Sequence, residues 1–143
     1  MFLTRSPQPI ATQQSVNTQQ SVNTPTPSPT ISRPEPTQAL RDYYGKINNP
    51  HYSQAWNQLS PGLRNNSEVH PEGYNSYLEW WTTVGYVDII TANSLYATRD
   101  TAQVQTELQY RMVSGREINQ ILEFSFVWDE ASGQWQVDRV RQL

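Results

Sequence analysis

Residues 102–128 read AQVQTELQYRMVSGREINQILEFSFVW. Ala102, Val104, Thr106, Leu108, Tyr110 and Met112 alternate with Gln103, Gln105, Glu107, Gln109 and Arg111. After Ser114–Gly115 the alternation resumes with Ile118, Gln120, Leu122, Phe124, Phe126 and Trp128. Successive side chains of a strand point to opposite faces, so this stretch predicts a long antiparallel hairpin with one dry face and one wet face. The dry face holds almost nothing ionisable. Its inward polar groups are Thr106, Tyr110 and Gln120, which narrows the chemistry the fold can perform.

Outward from the hairpin, the chain supplies further strands on both sides. Tyr86–Thr98 reads as a strand interrupted by a bulge at Asn93–Ser94, and Arg99–Asp100 turns it into the hairpin. Asp129–Gly133 is a five-residue connection ending in Gly, and Trp135–Arg141 is the last strand. Helical signals precede all of these. Leu40, Tyr43, Tyr44 and Ile47 fall at i, i+3, i+4, i+7 on a helix starting near Thr37. Asn49–Pro50 restarts the chain as N-cap and first helical position, and Tyr52, Ala55, Trp56 and Leu59 repeat the spacing. Ser60–Pro61 marks another cap before a short turn around Leu63, and Arg64–His70 reads as a loop or short edge hairpin. Pro71–Glu72 opens a third helix carrying Tyr74, Tyr77, Leu78, Trp81 and Val84 on one side. Helices first and antiparallel strands afterwards predict an α+β fold, three helices packed on one face of a curved four-stranded sheet.

Composition divides the chain near Pro36. Residues 1–36 hold seven of the ten prolines, one aromatic (Phe2) and a tandem repeat of TQQSVN at Thr12–Asn17 and Thr18–Asn23. A segment with so few large apolar residues cannot offset the entropy of ordering itself, so 1–36 is predicted to be a disordered linker. As a flexible coil it would reach on the order of 35 Å. Residues 37–143 hold every Trp and Tyr and form one predicted domain, ordinary in length for a single core.

That domain carries eight Lys/Arg against twelve Asp/Glu, with no basic stripe interleaved with aromatics, so nucleic acid is not an expected partner. No run of eighteen apolar residues predicts a membrane span, and MFLTRSPQPIATQQ has no apolar core of a signal peptide, so a cytoplasmic setting is expected. Cysteine is absent, which removes disulfides and thiolate chemistry. His51 and His70 lie beside prolines near helix starts and share no face with another ligand type, so both read as surface residues and no metal or cofactor is expected.

The order of helices then four antiparallel strands resembles the nuclear transport factor 2-like, or cone-shaped α+β, superfamily. The text is also local. AWNQLSPGLRNN (55–66), GYNSYLEWWTTVGYVDI (73–89), LQYRMVSGREI (108–118) and FVWDEASGQWQVD (126–138) resemble the domain that follows the kinase domain in many cyanobacterial serine/threonine protein kinases, where it also stands behind Pro/Ser/Thr/Gln-rich linkers. The chain itself has no Gly-rich phosphate loop, no HRD-like catalytic Asp and no DFG-like metal ligand, so it is not expected to be a kinase by itself. The resemblance leaves it either a free-standing relative or a fragment.

Catalytic members of that superfamily, the ketosteroid isomerase and scytalone dehydratase kind, work in a pocket between sheet and helices and need a positioned base there. Glu107 and Glu123 have outward parity, which leaves Asp88 as the candidate catalytic carboxylate, against a solvated strand carboxylate as the plain reading. Tyr74, Tyr77, Trp80 and Trp81, with Tyr110 and Gln120 from the strands, are the candidate pocket and ligand residues. Trp80 and Trp81 lie about 100° apart on a helix, so one belongs to the core and the other to a pocket mouth or an interface. On the wet face Gln103, Gln105, Glu107, Gln109, Arg111 and Glu123 are candidate interface residues, suited to a polar two-fold pairing or simply solvated. The expected function is a non-catalytic accessory module in a signalling context, binding a protein partner, a second copy of itself, or a small apolar ligand or peptide. The alternatives are a small pocket enzyme of the isomerase or dehydratase type, and a scaffold whose interior is fully packed.

Overall fold

The dry face of the central hairpin sets the architecture. In the computed structural model, which describes residues 33–143, Thr101–Met112 (β2) and Glu117–Asp129 (β3) pair antiparallel in continuous register, Val104 opposite Phe124 and Leu108 opposite Gln120. Burial along β2 switches at every residue, with Ala102, Val104, Thr106, Leu108 and Tyr110 all buried, as the alternation predicts. The buried Thr106 hydroxyl donates to the Thr91 carbonyl at 2.6 Å, which satisfies the one polar group in the middle of that row.

Among the described residues four helices come first and four strands follow. The helices are Pro36–Asn48 (α1), Tyr52–Asn57 (α2), Pro61–Arg64 (α3) and Tyr74–Trp81 (α4). Val84–Ala97 (β1) and Gln134–Gln142 (β4) flank the hairpin, so the antiparallel sheet runs β1-β2-β3-β4 and is open at both edges. Pro34–Leu143 forms one compact unit. The linker expected over 1–36 lies outside the described residues up to residue 32. Its last residue, Pro36, is the first of α1, where a missing N–H costs no hydrogen bond.

The helices cover the dry face. Leu40, Tyr43, Tyr44 and Ile47 form the buried stripe of α1, at the spacing read from the sequence. The α2–α3 segment is stitched to β4: Leu59 bridges Val137, Ser60 N–H donates to the Val137 carbonyl at 2.8 Å, and Val137 N–H donates to the Gln58 carbonyl at 2.9 Å. Ser60 caps α3, its Oγ accepting from Leu63 N–H at 3.2 Å while donating to Asp138 Oδ1 at 2.7 Å. Ser60→Ala removes both bonds, and a loss of about 1–2 kcal/mol is expected. Urea unfolding reads it; an unchanged midpoint would mean that neither bond adds stability.

Three expectations are corrected. Asn49 does not cap the second helix. It closes α1, its side-chain amide donating to the Gly45 carbonyl at 2.8 Å, and α2 starts at Tyr52 after His51. A short amide reaches back to a helix carbonyl as readily as forward to an N–H. The last helix begins at Tyr74, not at Pro71–Glu72, because the chain enters it through Gly73 at φ 63°, ψ −133°, a conformation closed to residues with a Cβ.

The third concerns β1. Asn93 and Ser94 still pair with Gln105 and Val104; the bulge expected there falls one residue on, at Leu95 between Ser94 and Tyr96, and two further slips lie at Gly85 and Ile90. Gly85 relieves crowding at its slip, since a Cβ there would stand 3.0 Å from the Arg111 carbonyl oxygen. Three bulges in one edge strand bend it and blunt its unpaired side.

Candidate functional site

A cavity of about 350 Å³ lies between the helices and the sheet. Every element except β1 and α2 sends side chains toward it. Tyr43 and Tyr44 come from α1, Leu63 from α3 and Leu59 from the turn before it, Val69 and His70 from the loop, and Ser76, Tyr77, Trp80 and Trp81 from α4. The sheet supplies Tyr110, Gln120, Leu122, Phe124, Val140 and Gln142. No Asp, Glu, Lys or Arg is among these residues.

The walls are mostly aromatic. Phe124 meets Tyr43 and Tyr44 edge-on at 6.4 and 5.9 Å, and Trp81 meets Tyr44 and Tyr77 at 6.2 Å each. Trp81 is buried, whereas Trp80 is 46% exposed and stands at the opening. The helical offset between these neighbours separates them into a core ring and a mouth ring.

Polar groups of the lining residues are hydroxyls, amides, two indole N–H groups and one imidazole. The Tyr43 and Tyr77 hydroxyls share a hydrogen bond of 2.6 Å; whichever donates, one hydroxyl hydrogen remains for a third group. Burial pushes the Tyr43, Tyr44, Tyr77 and Tyr110 phenols above the ordinary tyrosine value, and in Tyr43 the bond to Tyr77 works the other way. At physiological pH these four phenols are therefore neutral hydrogen-bond donors and not bases.

The expectation of an incidental, surface His70 is corrected. It is 9% exposed, with Trp56 and Tyr77 edge-on at 5.0 and 5.7 Å. Its Nδ1 lies 3.0 Å from the Leu63 carbonyl oxygen, which can only accept, so Nδ1 carries hydrogen and Nε2 of the neutral ring is an acceptor. His51 is exposed before α2.

The structure gathers Tyr77, Trp80, Trp81, Tyr110 and Gln120 around the cavity. Tyr74 stands outside it, packed on Trp56 at 5.6 Å, because it lies one turn below the cavity-facing part of α4. Asp88 takes the plain reading, a strand carboxylate outside the cavity. It lies on the opposite face of the sheet, where one carboxylate oxygen accepts from Arg111 Nε and Nη2 at 3.0 and 2.8 Å. A carboxylate held there cannot serve as a base inside the cavity. The sequence reading also missed Tyr43, Tyr44, Leu59, Leu63, Val69, Ser76, Leu122, Phe124, Val140 and Gln142 as wall residues. Tyr43 and Tyr44 did carry a signal: two hydroxyls on a buried helix stripe need partners, and an interior polar cluster supplies them.

The outer face of the sheet carries Gln103, Gln105, Glu107, Gln109, Arg111 and Glu123 at alternating positions, with Ile121 44% exposed among them. Its charges are largely answered within the face. Arg111 pairs with Asp88 and lies 4.9 Å from the Tyr86 ring centre, and Arg141 pairs with Glu123 at 2.9 Å. Among the described residues no group of three His, Asp or Glu gathers as a metal site, and no helix is long and apolar enough to cross a membrane.

No protein-family model matches the chain. It is 44% identical over 117 residues to the serine/threonine-protein kinase PknA of Nostoc sp. (strain PCC 7120), a match covering 81% of this chain and 21% of the kinase. The chain thus spans about a fifth of the length of the curated relative it matches. In structure it is similar to a SEC-C motif-containing protein from Rhodopseudomonas palustris, with a TM-score of 0.58 at 12% identity over 76% of this chain and 78% of that one. It also overlaps Aln2 from a Streptomyces species at a TM-score of 0.49 and 9% identity, over 78% of this chain and 94% of that one. At such identities the likeness concerns the fold alone. The chain is therefore similar to a segment of a cyanobacterial serine/threonine kinase, with an α+β fold that recurs in solved structures.

Proposed function

We propose that this chain is a kinase-associated binding domain of the nuclear transport factor 2-like kind, residues 37–143, carried on a linker of residues 1–36 and working in the cytoplasm. Its cavity captures a small, largely apolar ligand or an apolar peptide side chain, and it performs no chemistry on what it holds. The observation that carries this is the lining: aromatic walls, neutral hydroxyls, and no carboxylate, lysine or arginine. Helices followed by four antiparallel strands support the superfamily assignment, and the similarity to part of a kinase supports the signalling setting. Against the isomerase or dehydratase alternative stands the position of Asp88, across the sheet from the cavity. On the same reading the outer sheet face, Gln103 to Glu123, receives a protein partner, a second copy of the chain included.

N-phenyl-1-naphthylamine, a neutral apolar fluorophore, tests the capture directly. The full chain is expected to enhance its emission with one-site saturation. Val140 lines the cavity from β4 and is 42% exposed, so Val140→Trp can fill the mouth without opening the core. That variant is expected to lose at least tenfold in probe affinity, a change of about 1.4 kcal/mol, while melting as the parent does. Equal binding by both proteins would refute capture in this cavity.

A further inference from the structure

We infer that the corner formed by Trp80, Trp81 and Tyr110 is a binding site for a quaternary ammonium group; the inference rests on the cavity being a ligand site, as proposed above. The three rings are mutually close and mutually steep. Trp80 and Trp81 have centroids 6.1 Å apart at 58°, Trp80 and Tyr110 6.4 Å at 82°, and Trp81 and Tyr110 6.4 Å at 60°. All three rings line the same cavity, so each presents part of its surface to one space. A flat aromatic ligand stacks best between parallel walls, whereas a rounded group touches all three. Tyr77 extends the enclosure, 6.2 Å from Trp81 at 69°.

Charge then selects among rounded groups. The face of an aromatic ring is its negative side, so converging rings attract a cation. No Lys or Arg lines the cavity to repel one. No Asp or Glu lines it either, so a primary ammonium would exchange water for neutral hydroxyl, amide and imidazole acceptors only, with no counter-charge. A quaternary ammonium has no N–H to satisfy and holds its water weakly; ring faces are all it requires. Trp80, 46% exposed, stands at the opening, with Trp81 and Tyr110, 6% and 4% exposed, behind it. Residues 37–143 carry twelve acidic against eight basic side chains, which favours the approach of a cation.

Calorimetric titration of the full chain with choline and with 3,3-dimethylbutan-1-ol separates charge from shape, since the second replaces the trimethylammonium by a neutral tert-butyl group. Choline is expected to bind about tenfold tighter than its neutral counterpart, and the indole N–H signals of Trp80 and Trp81 should shift in nuclear magnetic resonance spectra. Trp80→Leu keeps an apolar side chain at a half-exposed position and should abolish the difference; Trp80→Phe should retain part of it. Equal or tighter binding of the neutral compound would overturn the cation site and leave capture of apolar ligands standing. Binding of neither compound while N-phenyl-1-naphthylamine still binds would do the same. Failure of all three would overturn the cavity reading together with this one.

Discussion

Raising the pH above the ordinary tyrosine value is expected to unfold this domain steeply. Tyr43, Tyr44, Tyr77 and Tyr110 are all buried, and burial raises each phenol above its reference of 10.0. The folded protein therefore binds these four protons more tightly than the unfolded chain does. Their contribution is fully present below pH 10 and is lost as the pH rises toward the raised native values. Each phenol costs about 1.4 kcal/mol per pH unit in that range, and four together about 5.5 kcal/mol per pH unit. A domain stable by roughly 5–15 kcal/mol cannot survive that for long. Circular dichroism and absorbance at 295 nm, followed together at constant ionic strength, are expected to show the share of phenolate that belongs to these four of the eight tyrosines appearing together with the unfolded chain in one cooperative transition. Tyr44→Phe should lower the pH dependence by about a quarter. Gradual ionisation of these phenols with the ellipticity intact would contradict the burial on which the cavity depends.

The same burial shows which parts of the fold the sequence displays. Along residues 102–112 and 118–128 every second residue except Thr106 and Gln120 is apolar and both strands run in unbroken register, so the pattern and the pleat agree. Along α1 the Leu40, Tyr43, Tyr44, Ile47 spacing matches its buried stripe for the same reason. In β1 the positions opposite the dry residues of β2 are Val87, Ile89, Ala92, Ser94 and Ala97, with gaps of two, three, two and three. Each bulge resets the alternation, so the strand has neither the period of a strand nor that of a helix. Asp88 fell into that ambiguity, one bulge away from the opposite face.

The cavity was legible only where it is built on regular elements. Tyr77, Trp80 and Trp81 lie on one helix, and Tyr110 and Gln120 lie on strands of clear parity, so their directions follow from periodicity. His70 belongs to a loop and is drawn inside by one backbone bond, Nδ1 to the Leu63 carbonyl, made across seven residues. No spacing rule covers such a contact. Val140 and Gln142 reach the cavity because β4 slips by one residue between Ser125 and Phe126 of its partner, which again has no sequence signature.

Phe124→Ala is expected to produce the largest loss of stability of any single side chain considered. The ring is 1% exposed, packs on Tyr43, Tyr44 and Phe126, and forms part of the cavity wall. Truncation removes about 3–5 kcal/mol and lowers the melting temperature on the order of 20 °C. Phe126→Ala is the matched control: the same substitution at the same burial, in a residue that does not line the cavity. Both variants lose packing, but only Phe124→Ala joins the new void to the existing space. Ligand at a hundredfold excess over its dissociation constant adds about 2.7 kcal/mol to any folded protein that binds it. N-phenyl-1-naphthylamine should therefore raise the melting temperature of Phe124→Ala by more than it raises that of Phe126→Ala, because the enlarged cavity holds more of the probe. An equal rise in the two variants would mean that the ligand sits elsewhere and that Phe124 serves packing alone.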